Sequence, residues 1–305
     1  MRLRHRAALA LSGLLLGTGL AWPQVAAAGV ARPAATAEII GQFNMAGGNR
    51  EHGGTGDEAA DALVRSVKDR RPAFMTLQET CADWVARLKS QLADYSVAFH
   101  PVQQRAGGPS SRCVHPSDFG NGVLVRNDLG FADPDRPDIH PLQSPSDYEQ
   151  REMLCLRSPS RALAVCTAHL TVGNDGAHLR ARRGEASVAR GVLATEYAGD
   201  TRFLGGDLND DPLSGATDTF YAPGYGRGAH GEFKEAGSPC RNDIKPGFFI
   251  LAPWPVWTWC RSGEPTHGQG KLDYIFVPPS VTVNWSDTAH ALHSDHRLLW
   301  AEIQL

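Results

Sequence analysis

"RFLGGDLNDDP", residues 202–212, closes a short apolar run with two glycines and then places Asp207, Asn209, Asp210 and Asp211 within five positions. The run reads as a buried strand, and the oxygen-bearing side chains at its C-terminal end read as a turn or as a site. Asp207, Asn209 and Asp211 fall at positions 1, 3 and 5 of a calcium-loop register. Pro212 and Asp218, however, stand where that loop needs glycine and a bidentate glutamate. A calcium loop is therefore excluded, and the meaning of the packet depends on what the other strand ends carry.

Working outward, strand-like runs appear as "AEIIGQFNM", "AFMTLQE", "YSVAFHP", "NGVLVRN", "EMLCLRS", "ALAVCTAHL", "TRFLGGD", "KLDYIFV" and "RLLWAEIQ". Helical patterns lie at 57–70, with Ala60, Leu63, Val64 and Val67 on one face, and at 82–93 and 179–198. Strand-helix-strand crossovers alternate with plain hairpins, and no internal repeat or dividing linker is visible. That mixture predicts an α/β chain with packed mixed sheets covered by helices, in place of one doubly wound parallel sheet.

Polar residues gather at the ends of these runs: Asn44 in "GQFNM", Gln78 and Glu79 in "TLQET", His169 in "CTAHL", Asp207 and Asn209 in "GGDLND", Asp273 opening "DYIFV", and Asp295 and His296 before "RLL". Strand ends are where α/β folds assemble sites, because loops converge there over a rigid platform. Asp210 and Asp211 read as solvated turn residues, and Gln78 as a brace for Glu79. His52, His100, His115, His178 and His267 read as surface or packing histidines. His293 and His296 lack further ligands at a zinc-like spacing.

The motifs "FNM", "LQET", "NGVLV", "TAHL", "GGDLND", "KLDYIFV" and "SDHRLL", in that order over residues 43–299, resemble the endonuclease/exonuclease/phosphatase superfamily. The resemblance implies a four-layer α/β sandwich, two packed mixed sheets flanked by helices, with metal-dependent hydrolysis of phosphate esters. It implies Glu79 as the main metal ligand with Asn44 and Asp295 nearby, and Asp207 as the group that orients and deprotonates the attacking water. Asn209 would hold that water or a phosphate oxygen, and His169 and His296 would donate to the phosphoryl oxygens. Asp273 would orient His296. Hard oxygen ligands suit Mg²⁺, with Mn²⁺ or Ca²⁺ as the other ions expected.

Compartment and substrate are read from the rest of the chain. Arg2, Arg4 and Arg6, an apolar run broken by Ser12, Gly13, Gly17, Thr18 and Gly19, and the triplet Ala26, Ala27, Ala28 have the layout of a secretory signal peptide, residues 1–28. A linker over 29–37 and one domain over 38–305 are expected, with no later membrane span and an extracellular product. Cleavage would remove three arginines and no acid, taking the formal charge from −3 to −6. A polyanion must then be met by local cations such as Arg50, Arg105 and Arg112 or by the metal.

The six cysteines in an exported chain read as disulfides. "CLRSPSRALAVC" reads as a hairpin centred near Ser160, which sets Cys155 opposite Cys166. Cys240 with Cys260 and Cys81 with Cys113 complete the map.

The expected activity is a phosphodiesterase cleaving DNA or RNA with little sequence preference, acting as a monomer without a stable protein partner. A phosphomonoesterase or a sphingomyelinase-type lipid phosphodiesterase is the alternative, and a catalytically silent binding module a third. Phe248, Phe249, Trp254, Trp257 and Trp259, in the segment before Asp273, are expected in the core.

Overall fold

The computed structural model describes residues 36–52, 56–243, 256–290 and 293–305. The signal-peptide reading, nearly all of the expected linker, and Phe248, Phe249, Trp254 and the Trp257 side chain lie outside the described residues. Among the described residues, no helix is long and apolar enough to cross a membrane.

Twelve strands form two six-stranded sheets among the described residues. In the first, β1 (Ala37–Asn44) lies parallel to β2 (Phe74–Cys81), because α1 (Glu58–Arg70) supplies the crossover that a parallel pair requires. After β2 come α2 (Ala82–Gln91), β3 (Tyr95–Pro101) and β4 (Phe119–Arg126). In the second sheet, β5 (Asp138–Pro141), β6 (Glu152–Ser158) and β7 (Leu163–His169) run antiparallel. Helix α3 (Gly176–Thr195) then returns the chain to β8 (Thr201–Asp207), parallel to β7. The chain ends with β9 (Lys234–Glu235), α4 (Val256–Cys260), β10 (Asp273–Val277), β11 (Val283–His290) and β12 (Arg297–Gln304). The strand orders are β11-β12-β1-β2-β4-β3 and β5-β6-β7-β8-β10-β9.

Three apolar layers make this a helix-sheet-sheet-helix sandwich. Leu63, Val67, Trp84 and Leu88 pack on Met75 and Leu77 outside the first sheet. Ala186, Ala189 and Leu193 pack on Cys166, Leu204 and Phe276 outside the second. Between the sheets lie Ile40, Phe74, Leu163, Val165, Phe203 and Ile275, with the Phe74 and Phe203 rings 5.0 Å apart. Period-two alternation then selects the next side chains on the same inward faces. Ile40 gives way to Gln42 and Asn44, Phe74 to Thr76 and Gln78, Val165 to Thr167 and His169, and Phe203 to Gly205 and Asp207. The inter-sheet layer thus grades from hydrocarbon to polar groups toward one end. Gly205 is required where the sheets meet, since a β-carbon there would collide with Thr76 Oγ1.

Helix α3 begins three residues before its apolar periodicity does. Asp175 supplies the reason: its carboxylate accepts from the Ala177 and His178 backbone N–H groups and caps the helix. All three expected disulfides are present. Cys155 pairs with Cys166 in the ladder itself, on opposite strands of the β6–β7 hairpin. Replacing both by alanine should lower stability by about 2–3 kcal/mol, because a short closed loop is released in the unfolded chain. Chemical denaturation with the slope held constant measures this.

Candidate active site

The polar end of the inter-sheet layer gathers the strand-end residues. Register places His169 of β7 and Asp273 of β10 on either side of Asp207 of β8, and Asn44 of β1 beside Gln78 of β2. Asp207 is buried, and its Oδ2 stands 3.6 Å from His169 Nε2 and 3.6 Å from His296 Nε2. Its Oδ1 accepts from the Asn209 backbone N–H at 2.8 Å, a contact made possible by the left-handed conformation of Asn209 (φ 51°). Asn44 Nδ2 donates to Asp207 Oδ2 at 3.0 Å and to Glu79 Oε1 at 3.2 Å, bridging the two sheets.

Glu79 does not follow the strand. The β2–β4 register shifts between Leu77 and Thr80, and Glu79 has φ 48°, so a bulge turns its carboxylate toward the cleft. Met45 N–H donates to Gln78 O and Gly47 N–H to Glu79 O, while the Cys81–Cys113 disulfide holds the end of the same strand. Gly48 N–H donates to Glu79 Oε2 at 3.2 Å. Asp295 accepts from Asn49 Nδ2 at 2.8 Å, and Ser294 Oγ, which donates to Asn44 O, anchors the segment that carries it.

The site's two histidines face opposite environments. His296 Nδ1 meets Asp273 Oδ2 at 2.8 Å, and Asp273 in turn accepts from Gln42 Nε2 at 2.6 Å. Burial works against a charge on His296, but Asp273 and Asp207 outweigh it and raise the ring to about 10, so it is an imidazolium at neutral pH. His169 is held well below the ordinary imidazole range by burial, by Arg151 and by the charge on His296. Burial, with Asp273 adding to it, pushes the Asp207 carboxyl up to about 7 against the pull of His296. Burial also raises the Glu79 carboxyl, opposed chiefly by its hydrogen bond from Asn44.

Several residues take other parts than their sequence context suggests. Gln78 does not brace Glu79; its Nε2 donates to Thr167 Oγ1 at 2.8 Å and ties the sheets together. Asp210 is no solvated turn residue, being buried against Arg182 at 3.1 Å, whereas Asp211 is exposed. Asn209 spends its side-chain N–H on Leu170 O at 3.0 Å. Asn44 Oδ1 accepts from Ala46 N–H at 2.9 Å, which commits the amide nitrogen to the carboxylates. In this arrangement Asn44 clamps Glu79 and Asp207, and its Oδ1 keeps one lone pair beyond the bond from Ala46. His267 is not a bystander either: its Nε2 lies 3.5 Å from Asp295 Oδ2 and its ring is 4.6 Å from that of His296. Trp259, expected in the core, is 60% exposed.

Of the three arginines expected to meet substrate, Arg112 pairs with Asp118. Arg50 is exposed beside Asn49 in the loop over Asp295, and Arg105 is exposed in the loop whose Ala106 N–H donates to Ser146 O. Gln42, Asn49, Ser294 and Arg151 also shape the site. Gln42 alone carried a sequence signal, as the polar residue on the same strand face as Ile40 and two positions before Asn44.

The donor set suits a hard divalent cation. Among the described residues the Glu79 carboxylate has no ion-pair partner, although it is desolvated and shares the cleft with Asp295. One or two carboxylates with open positions is the arrangement Mg²⁺ favours.

A family model described as the endonuclease/exonuclease/phosphatase family matches residues 41–296. Among solved structures, the human nocturnin catalytic domain with bound sulfate is 15% identical, with a TM-score of 0.61 over 88% of this chain and 93% of that one. A D. rerio TDP2 humanized by 14 mutations is 14% identical, with a TM-score of 0.59 over 88% of this chain and 99% of that one. A Bacteroides thetaiotaomicron mannosyl-6-phosphatase is 15% identical, with a TM-score of 0.56 over 87% and 99%. No curated protein matches.

Proposed function

The chain belongs to the endonuclease/exonuclease/phosphatase family, whose members are metal-dependent hydrolases of phosphate esters, and on that premise we propose that it is a secreted phosphodiesterase that cleaves DNA or RNA with little sequence preference. The observation that carries the reading is the placement of one buried carboxylate, Asp207, 3.6 Å from each of two histidine Nε2 atoms. Asp207, with its carboxyl near neutrality, is suited to take a proton from a water. His296, cationic and oriented by Asp273, would neutralise a phosphoryl oxygen, and His169 would donate to another. Glu79, with Asp295 nearby, would hold the cation. That cation, bound as Mg²⁺, Mn²⁺ or Ca²⁺, supplies charge neutralisation of the phosphoryl group.

A polymeric substrate is supported by the composition of the cleft rim. Arg50, beside Asn49 in the loop over Asp295, and Arg105 stand exposed, and each could meet a backbone phosphate. Arg112 is already paired with Asp118 and adds less. Exposed Trp259 offers a ring on which a base could stack. The overall charge is not basic, so affinity comes from these local groups and should weaken as salt rises.

A metal series on purified protein with plasmid DNA, RNA, sphingomyelin and a simple phosphomonoester tests the proposal. Cleavage of plasmid or RNA that stops with chelator is the expected result. Hydrolysis of sphingomyelin alone would overturn the nuclease reading and make Trp259 a membrane contact. Turnover confined to the phosphomonoester would make the protein a phosphatase.

A further inference from the structure

We infer that Arg151 is a positioning residue that keeps the proton of His169 on Nε2, making this histidine a hydrogen-bond donor to the phosphoryl group through that nitrogen. The inference rests on the phosphoesterase reading of the site and concerns how its two histidines divide the work.

The geometry settles which nitrogen carries the proton. Arg151 Nη1 lies 3.2 Å from His169 Nδ1, and both groups are buried. A guanidinium has only donors, so the nitrogen it meets must offer a lone pair. His169 Nδ1 is therefore the acceptor, and the single proton of the neutral ring sits on Nε2. Nε2 is the nitrogen that faces Asp207 Oδ2 at 3.6 Å, too far for a hydrogen bond and directed into the cleft. His296 shows the opposite arrangement, its Nδ1 against a carboxylate at 2.8 Å. Two imidazoles at equal distance from the same Asp207 oxygen are thus held in different states by their outer partners.

Arg151 is itself fixed. Its Nη1 lies 2.8 Å from Glu149 Oε1, and Glu149 Oε2 accepts from Ser111 Oγ at 2.7 Å. The same Nη1 thus meets Glu149 and His169, so the carboxylate balances the arginine charge and holds the guanidinium against the ring. The groups that act on His169 are Arg151 from the segment before β6, Asp207 from β8 and His296 from the segment before β12. Arg151 is a cation in direct contact with the ring, and a second positive charge on His169 would be unfavourable. Burial works in the same direction. A neutral donor suits a phosphoryl oxygen on which charge builds during attack, and it leaves Asp207 as the one proton acceptor of the three.

Nitrogen-15 NMR of imidazole-labelled, metal-free protein reads the tautomer directly and needs no substrate. The expected result is a His169 ring with a bare, acceptor-type Nδ1 and a protonated Nε2, unchanged between pH 6 and 8.5. A protonated Nδ1 in that range would overturn the inference, whatever the enzyme hydrolyses. Arg151→Gln retains an N–H donor and should keep both the tautomer and the shape of the pH–rate profile. Arg151→Met should let the two tautomers mix and lower kcat about tenfold or more with KM little changed, as loss of a positioned donor does. If Arg151→Met binds metal and folds as wild type yet keeps the wild-type tautomer signature, Arg151 is merely structural. If the tautomer is as expected but no phosphate ester is cleaved, the phosphoesterase reading fails and the positioning role stands.

Discussion

Asp207→Asn should reduce turnover on any phosphate ester the enzyme cleaves by roughly a hundredfold to ten-thousandfold, the range expected when a general base is removed. The fold should survive, because asparagine is nearly the same size and can still accept from Asn209 N–H. Wild-type activity should rise with pH through neutrality, since the carboxyl titrates near 7 and only its ionised form takes a proton. Stability should move the other way. A carboxyl whose folded pKa is raised binds its proton more tightly in the fold than in the unfolded chain. That contribution is complete below the unfolded value near 3.8 and is lost as pH rises through about 7. At pH 8, without metal, Asp207→Asn should therefore melt no lower than wild type. A variant within about threefold of wild-type turnover would remove Asp207 from the general-base role, since that role carries at least a hundredfold.

Glu79→Gln should produce the second large effect, on metal binding before chemistry. Even groups that only support a metal ligand contribute about 10–100-fold in affinity, so loss of the principal carboxylate should weaken the ion by roughly a hundredfold or more. Calorimetry with Mg²⁺ or Mn²⁺ alone measures this without substrate. Activity should partly return at high metal concentration, which separates this variant from Asp207→Asn, whose deficit no metal corrects. The metal-free protein should be no less stable than wild type, because burial already disfavours the Glu79 charge. Equal affinity in the two proteins would place the cation elsewhere, with His267 and Asp295 the next candidates.

How far the sequence reaches is visible strand by strand. β1, β2, β7 and β8 announce themselves because adjacent apolar residues, Ile39 and Ile40, Phe74 and Met75, Leu163 to Val165, and Phe203 and Leu204, put hydrocarbon on both faces. The missed strands lack that signal. β9 is two residues long, β5 is "DIHP", and β11 is an edge strand reading "VNWSDTAH", partly exposed along most of its length. Their pairing is decided by neighbours that are remote in the chain, as β11 is by β12. Packed mixed sheets covered by helices were nevertheless legible from crossovers mixed with hairpins, and the four-layer arrangement was what the family resemblance implied.

The site divides along the same line. Residues at strand ends, such as Asp207, Asp273 and His169, were readable because period-two alternation places them on the inward face just beyond the apolar layer, whereas Glu79 reaches the cleft only through the bulge in β2. So was the Cys155–Cys166 bond, which needs only a hairpin. What each group does to its neighbours was not readable, because it depends on contacts across the two sheets. Gln42 reaches Asp273 over 231 residues of chain, Asn44 reaches Asp207 over 163, and Asn49 reaches Asp295 over 246. Asp210 and His267 carry no local pattern that separates a buried ion pair or a site neighbour from a surface residue. The sequence by itself determined the fold class, the disulfide map and which side chains stand at the polar end of the sandwich. Only the tertiary structure decided that one histidine meets a carboxylate and the other a guanidinium, because a proton's position is set by the group opposite it in space.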